Sequence, residues 1–241
     1  MPMRSARRLA SVAVVASLAV TGLSACRSAP SVAAYIGASR ITESRVSDVF
    51  DEARDAVAAA GAPAQGAAAA AFTRADVARL LVSDQVLPKV AQQQGVTLPA
   101  DLQLDSYAQA LHMPASTEFV RLFAEEDNYA TALRQKVNGA PTPSDADLRE
   151  VYEALVASGQ QGTFEEFKSS LPQENMQVVQ AAVAVRGEIT QAAAPMHITI
   201  NPRYSSLGIP VLQFQTQGGE IRPLVVAHLG DDTSVPVSAA N

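Results

Sequence analysis

The chain has 241 residues, 48% of them apolar and 17% charged, with 18 Lys+Arg against 24 Asp+Glu. That apolar share is enough for a packed core and excludes wholesale disorder or a collagen-like chain. The formal charge of −6 argues against a nucleic-acid partner, which needs cations to displace counterions from phosphates. A single cysteine, Cys26, and three histidines exclude a disulfide framework and a Cys/His zinc cage.

The first 25 residues read as an address. Arg4, Arg7 and Arg8 supply a positive start, and residues 9–22 carry only small and apolar side chains, the pattern of a charged n-region and an apolar h-region. The stretch is shorter than the roughly 20 apolar residues a membrane span takes. Leu23-Ser24-Ala25-Cys26 then resembles the lipobox of bacterial lipoproteins. That resemblance implies transfer of a diacylglyceryl group to the Cys26 thiol, cleavage before Cys26, acylation of the new amine, and a mature chain held to the membrane by lipid. Losing three arginines with the leader takes the formal side-chain charge from −6 to −9, so attraction to anionic headgroups is not what holds it there.

Beyond a short tether at residues 26–33, Tyr35-Ile36 and Arg40-Ile41 flank Gly37-Ala38-Ser39, the signature of a tight turn between two short strands. Thr42 is placed to cap a helix whose apolar positions are Val46, Val49, Phe50, Ala53, Val57 and Ala60, stopped by Gly61. Residues 62–71 form a Pro/Gly/Ala loop. Thr73 and Asp76 form a capping box, with Phe72 and Val77 placed as a staple. This second helix runs to Gly95, and Pro88 inside it predicts a kink or break.

A weaker helix is expected over residues 98–111. The strongest pattern spans residues 117–137, where Phe119, Leu122, Phe123, Tyr129, Ala130, Leu133 and Val137 form one stripe. Ser144-x-x-Asp147 and Thr163-x-x-Glu166 open two further helices. The last, from Pro172 to about Ala193, has apolar residues on two sides and is expected to pack between other elements. A short strand follows at residues 197–200. Residues 211–216 and 224–228 could pair as a hairpin around Gly218-Gly219, ahead of a frayed tail at residues 231–241.

No phosphate-binding loop, dinucleotide fingerprint, nucleophile elbow or zinc-protease motif is present in the sequence. His112, His197 and His228 are scattered. Asp84 and Glu126 fall on the apolar stripes of their helices. Buried together they would make an acid/base pair with separated pKa values. Otherwise each pairs with an arginine, faces a groove, or is swung out at Pro88. Part of the aromatic stripe could instead grip apolar chains, since burial does not depend on sequence.

Several segments, in order, resemble the SurA/PrsA-type foldase group, specifically its N-terminal chaperone domain in actinobacterial lipoproteins. These are Ala33-Ala34-Tyr35-Ile36-Gly37, Arg40-Ile41-Thr42, Gly95-Val96, residues 141–148 with Tyr152, Thr163-Phe164-Glu165-Glu166-Phe167, and Ile198-Thr199-Ile200-Asn201-Pro202-Arg203-Tyr204. Ser205 stands where the family often has Gly. The resemblance implies a mainly α, multi-helix domain over residues 34–208, closed by a small sheet that pairs the first strand with the one after the last long helix. The C-terminal hairpin and tail over residues 209–241 follow it.

The resemblance also implies an extracytoplasmic, membrane-anchored protein that binds unfolded or secreted polypeptides, with no cofactor or metal and no evident small-molecule substrate. Prolyl isomerase activity is not implied, because the parvulin segment with its His-containing strand is missing. The competing expectation is a structural or adaptor lipoprotein docking one specific envelope protein.

Overall fold

The computed structural model describes residues 30–61, 72–204, 207–216 and 218–230. Leu23, Ser24, Ala25 and Cys26, the Pro/Gly/Ala loop over residues 62–71, Ser205 and the expected tail lie outside the described residues. Among those described, the elements are strands β1 (Val32–Ile36) and β2 (Ser39–Thr42), then helices α1 (Glu43–Ala59), α2 (Arg74–Gln94), α3 (Leu104–Leu111), α4 (Glu118–Lys136), α5 (Asp145–Ala157), α6 (Phe164–Ser170) and α7 (Gln173–Ala193). Strands β3 (Ile198–Ile200), β4 (Gly208–Gln215) and β5 (Ile221–His228) complete the chain. The fold is mainly helical with two small antiparallel sheets, one of them the C-terminal hairpin.

Local chemistry sets most helix starts. Thr42 Oγ1 accepts from Arg45 N at 3.2 Å, and Thr117 Oγ1 accepts from Val120 N at 3.4 Å. The boxes at Thr73/Asp76, Ser144/Asp147 and Thr163/Glu166 are all closed, each side chain meeting the other residue's backbone N–H. Phe72, just before its box, stacks on Phe50 and Phe119 at ring separations of 5.1 and 5.0 Å. It thereby ties the starts of α2 and α4 to the middle of α1.

Two expectations need correction. Of the kink or break expected at Pro88, the break does not occur, for α2 is one continuous helix over Arg74–Gln94. The ring removes one backbone bond, but Asp84, which would have received it, is exposed, so water can take the freed carbonyl and the helix continues. The expected helix over residues 98–111 begins only at Leu104. Pro99 drives Leu98 out of helical backbone, and Asp101 Oδ1 accepts from Gln103 N at 2.8 Å, a local bond that competes with helix formation.

The two ends of the domain meet in one sheet of order β2-β1-β3. Ala34, Tyr35 and Ile36 pair antiparallel with Ile200, Thr199 and Ile198. Asn201 fastens the junction. Its N–H donates to Ala33 O and its Nδ2 to Val32 O, both at 2.9 Å. The Tyr204 hydroxyl donates to Glu43 Oε2 at 2.6 Å. Asn201→Ala would leave the Val32 carbonyl without its side-chain donor, and a loss of about 1–3 kcal/mol is expected, read as a lower urea midpoint at unchanged slope.

Helix α7 lies among α2, α4 and both strands of the hairpin. Val179, Ala182, Val185 and Ile189 form its buried face, whereas Val178, nearer the helix's N-terminal end, is exposed. The hairpin's Ile209, Val211, Val225 and Ala227 are wholly buried and belong to the same hydrophobic cluster as the helices. Gly208 lies at the open end of the hairpin, where a Cβ would overlap the Val226 side chain.

Candidate functional site

Asp84 and Glu126 do not form a shared site. Asp84 is exposed, while Glu126 is 2% exposed. Glu126 accepts bonds from the Arg79 guanidinium and the Ser83 hydroxyl. Arg79 and Ser83 are four residues apart on α2, hence on one face, and they meet Glu126 across the α2–α4 contact. The arginine-paired alternative is the one the structure adopts, and it locks two helices together.

The aromatic stripe of α4 divides by depth. Phe119 and Phe123 are buried, and Tyr129 is half-buried. Burial, then the carboxylates of Glu125 and Asp84, raise the Tyr129 hydroxyl above its ordinary pKa. One edge of the stripe borders a groove of about 190 Å³, where α3 and α4 face the turn end of the hairpin. Tyr107 and Ala110 line it from α3, Phe123 and Asp127 from α4, and Phe214 and Ile221 from β4 and β5. The rings of Tyr107 and Phe123 meet edge-on at 6.0 Å.

One polar linkage crosses the groove's floor. The Tyr107 hydroxyl donates to Asp127 Oδ2 at 2.7 Å, and Asn128 Nδ2 donates to the same hydroxyl at 3.2 Å. Burial, reinforced by the Asp127 carboxylate, pushes the Tyr107 hydroxyl well above its ordinary pKa, so it stays a donor. Arg134 stands behind, donating to Val211 O and to Thr131 Oγ1. Burial pulls its guanidinium down while the Asp127 carboxylate opposes that. Asp127 therefore has a nearby opposite charge as well as a hydroxyl donor, which suits the groove to neutral, apolar guests rather than ions.

Comparison with family models, curated proteins and solved structures finds no match. The groove's chemistry therefore has to be read from its own residues. Its walls are rings and aliphatic carbons together with Gln213 and Gln215, and its one carboxylate is already engaged. Among the described residues no group of three His, Cys, Asp or Glu side chains could hold a metal ion, and His112, His197 and His228 are all exposed.

Sequence reading identified Phe123 but not Tyr107, Asp127 or the hairpin residues. Tyr107 sits in a short helix with a weak pattern, and Phe214 and Ile221 are brought near it only by the return of the chain over α4 and α7. The one available signal was Arg79 with Ser83 at helical spacing on the face of α2 that meets Glu126.

Proposed function

We propose that this protein is a membrane-anchored, extracytoplasmic lipoprotein that transiently holds unfolded or hydrophobic polypeptides, without prolyl isomerase activity. The observation that carries the reading is the pairing of β1 with β3, fastened by Asn201. It joins two of the segments, around Tyr35-Ile36 and Ile198–Asn201, that in their order along the chain resemble the SurA/PrsA-type chaperone domain. The lipobox-like Leu23-Ser24-Ala25-Cys26 supports the location, and the apolar groove beside α4 supports polypeptide binding.

The anchor fits this arrangement. From Cys26 to the start of β1 at Val32 the chain reaches at most roughly 20 Å, at about 3.3–3.6 Å per residue. A lipid at Cys26 holds the sheet end toward the bilayer. The groove lies at the turn end of the hairpin, whose eight-residue strands extend about 27 Å from the Gly208–His228 pair at about 3.4 Å per residue.

The test is an aggregation assay with the mature chain carrying Cys26→Ser. Suppression of light scattering by a reduced, denatured substrate at stoichiometric excess is expected, and no protection refutes the reading. Crosslinking in cells separates the competitor: many client bands accord with a polypeptide holder, whereas one stoichiometric band points to an adaptor with a single envelope partner.

A further inference from the structure

The sheet that joins the chain ends has one face toward the core and one away from it. Ala34, Ile36, Ile41 and Ile198 are buried and belong to the hydrophobic cluster shared with α1 and α2. The registers set Tyr35 between Arg40 on β2 and Thr199 on β3, and directly opposed residues share the face that alternates with the buried one. Arg40 and Thr199 are exposed and Tyr35 is half-buried. The outer row is therefore a guanidinium, an aromatic ring with a polar tip, and a hydroxyl.

The charge of this surface runs against that of the chain. Its segments, residues 31–42 and 197–204, hold Arg40, His197 and Arg203 and no Asp or Glu, in a chain with 24 acids among 241 residues. All three cationic or titratable side chains are exposed. Glu43, where α1 leaves the sheet, is already engaged: it accepts from the Tyr204 hydroxyl at 2.6 Å, and Arg203 stands 3.5 Å from its other oxygen. Arg40 enters no ion pair among the described residues. A free guanidinium offers a planar fork of donors that matches phosphate, and Tyr favours the headgroup level of a bilayer.

Tether length supplies the partner. From Cys26 the chain reaches at most about 20 Å before β1 begins, so a lipid there keeps the sheet near the headgroups. Two postures fit within that reach. If the sheet stands on its Val32 end, the Gly37-Ala38 turn rises a further 13 Å or so, at about 3.3 Å per residue along β1. That exceeds the Debye length of about 8 Å at physiological salt. If it lies on its outer face, Arg40 and Tyr35 meet the lipids. The acid-rich remainder of the chain is repelled by an anionic surface, which turns the acid-free face toward it.

We propose that the outer face of the β2-β1-β3 sheet docks on the phospholipid bilayer, with Arg40 on a headgroup phosphate and Tyr35 at headgroup level. The lipid holds the chain, and Arg40 sets its orientation. The partner rests on the lipoprotein reading proposed above, whereas the shape and charge of the face rest on the sheet alone.

The test uses the full chain expressed with its leader and reconstituted in nanodiscs of equal parts phosphatidylcholine and phosphatidylglycerol with a trace of nickel-chelating lipid. Cys26 is the one native cysteine and its thiol is taken by lipid, so a spin label on Ala38→Cys or Glu220→Cys reports a single place. Both positions are exposed, one in the turn of the sheet and the other in the turn of the hairpin. Relaxation by nickel is expected to be strong at residue 38 and weak at residue 220. Arg40→Glu lowers the docked-to-undocked ratio read at residue 38 by at least about 5-fold, the worth of one cation near an anionic surface, while Arg40→Lys, which keeps the charge, retains most of it. An unchanged urea midpoint reports an intact fold.

Mass spectrometry of the same preparation separates this proposal from the one it rests on. If Cys26 carries lipid, yet the label at residue 38 relaxes no more than that at residue 220 or ignores Arg40→Glu, the docking is overturned and the lipoprotein reading stands. If Cys26 is bare and the chain does not travel with the nanodiscs, that reading falls and the docking falls with it.

Discussion

Replacing Arg79 by Met is expected to cost about 3–5 kcal/mol of folding stability, the loss typical of stranding one member of a buried ion pair. Arg79 and Glu126 are 15% and 1% exposed at the side chain. Without the guanidinium, the carboxylate keeps only the Ser83 hydroxyl as a side-chain donor. A domain of ordinary stability has about 5–15 kcal/mol in total, so the change consumes a large share and should be plain in urea denaturation.

The double variant Arg79→Met/Glu126→Leu separates charge from packing. Removing both charges is expected to recover most of the loss, because a hydrophobic pair of similar volume often equals or exceeds a buried ion pair. If the single variant is as stable as wild type, Glu126 is not confined as described. If the double variant is no better than the single, shape rather than charge governs the α2–α4 contact.

Ile189→Ala is expected to cost about 2–5 kcal/mol. Ile189 has no exposed surface and sits on the face of α7 that packs against α2, α4 and both hairpin strands. The missing carbons leave a void that four elements would have to close together, and helices pinned by the Glu126 pair and by a paired hairpin cannot all move inward. Val178→Ala, at an exposed position of the same helix, is expected to change stability by no more than about 0.5 kcal/mol. Thermal or urea unfolding of the two variants side by side distinguishes a loss of packing from a change in helix propensity, which these substitutions share.

The helical elements were legible in the sequence because their signals are local. Thr73 with Asp76, Ser144 with Asp147, and Thr163 with Glu166 each solve a problem of unpaired N–H groups within one turn, and the chain needs nothing distant to do so. The reading failed where local rules were answered by solvent or by a competing local bond. Asp84, whose carbonyl Pro88 leaves without its helical donor, is exposed where water can reach it, and the Asp101 side chain, with Pro99, delays α3 to Leu104. At the candidate site, angle counting placed Glu126 on a buried stripe correctly but could not tell an acid awaiting a proton from one neutralised by Arg79, because that partner lies 47 residues away.

By itself the sequence determined where most helices begin, which stripes are apolar, and where short strands and a late hairpin fall. Those features depend on spacing within a few residues. Only the tertiary structure decided that Glu126 is an ion-pair partner rather than half of an acid pair, and that Tyr107, Phe123 and Phe214 share one groove. It also decided that the Tyr107 hydroxyl of α3 meets Asp127 of α4. These contacts join residues far apart in the chain, and their energies exist only once burial has removed the water that would otherwise compete for every charge and donor.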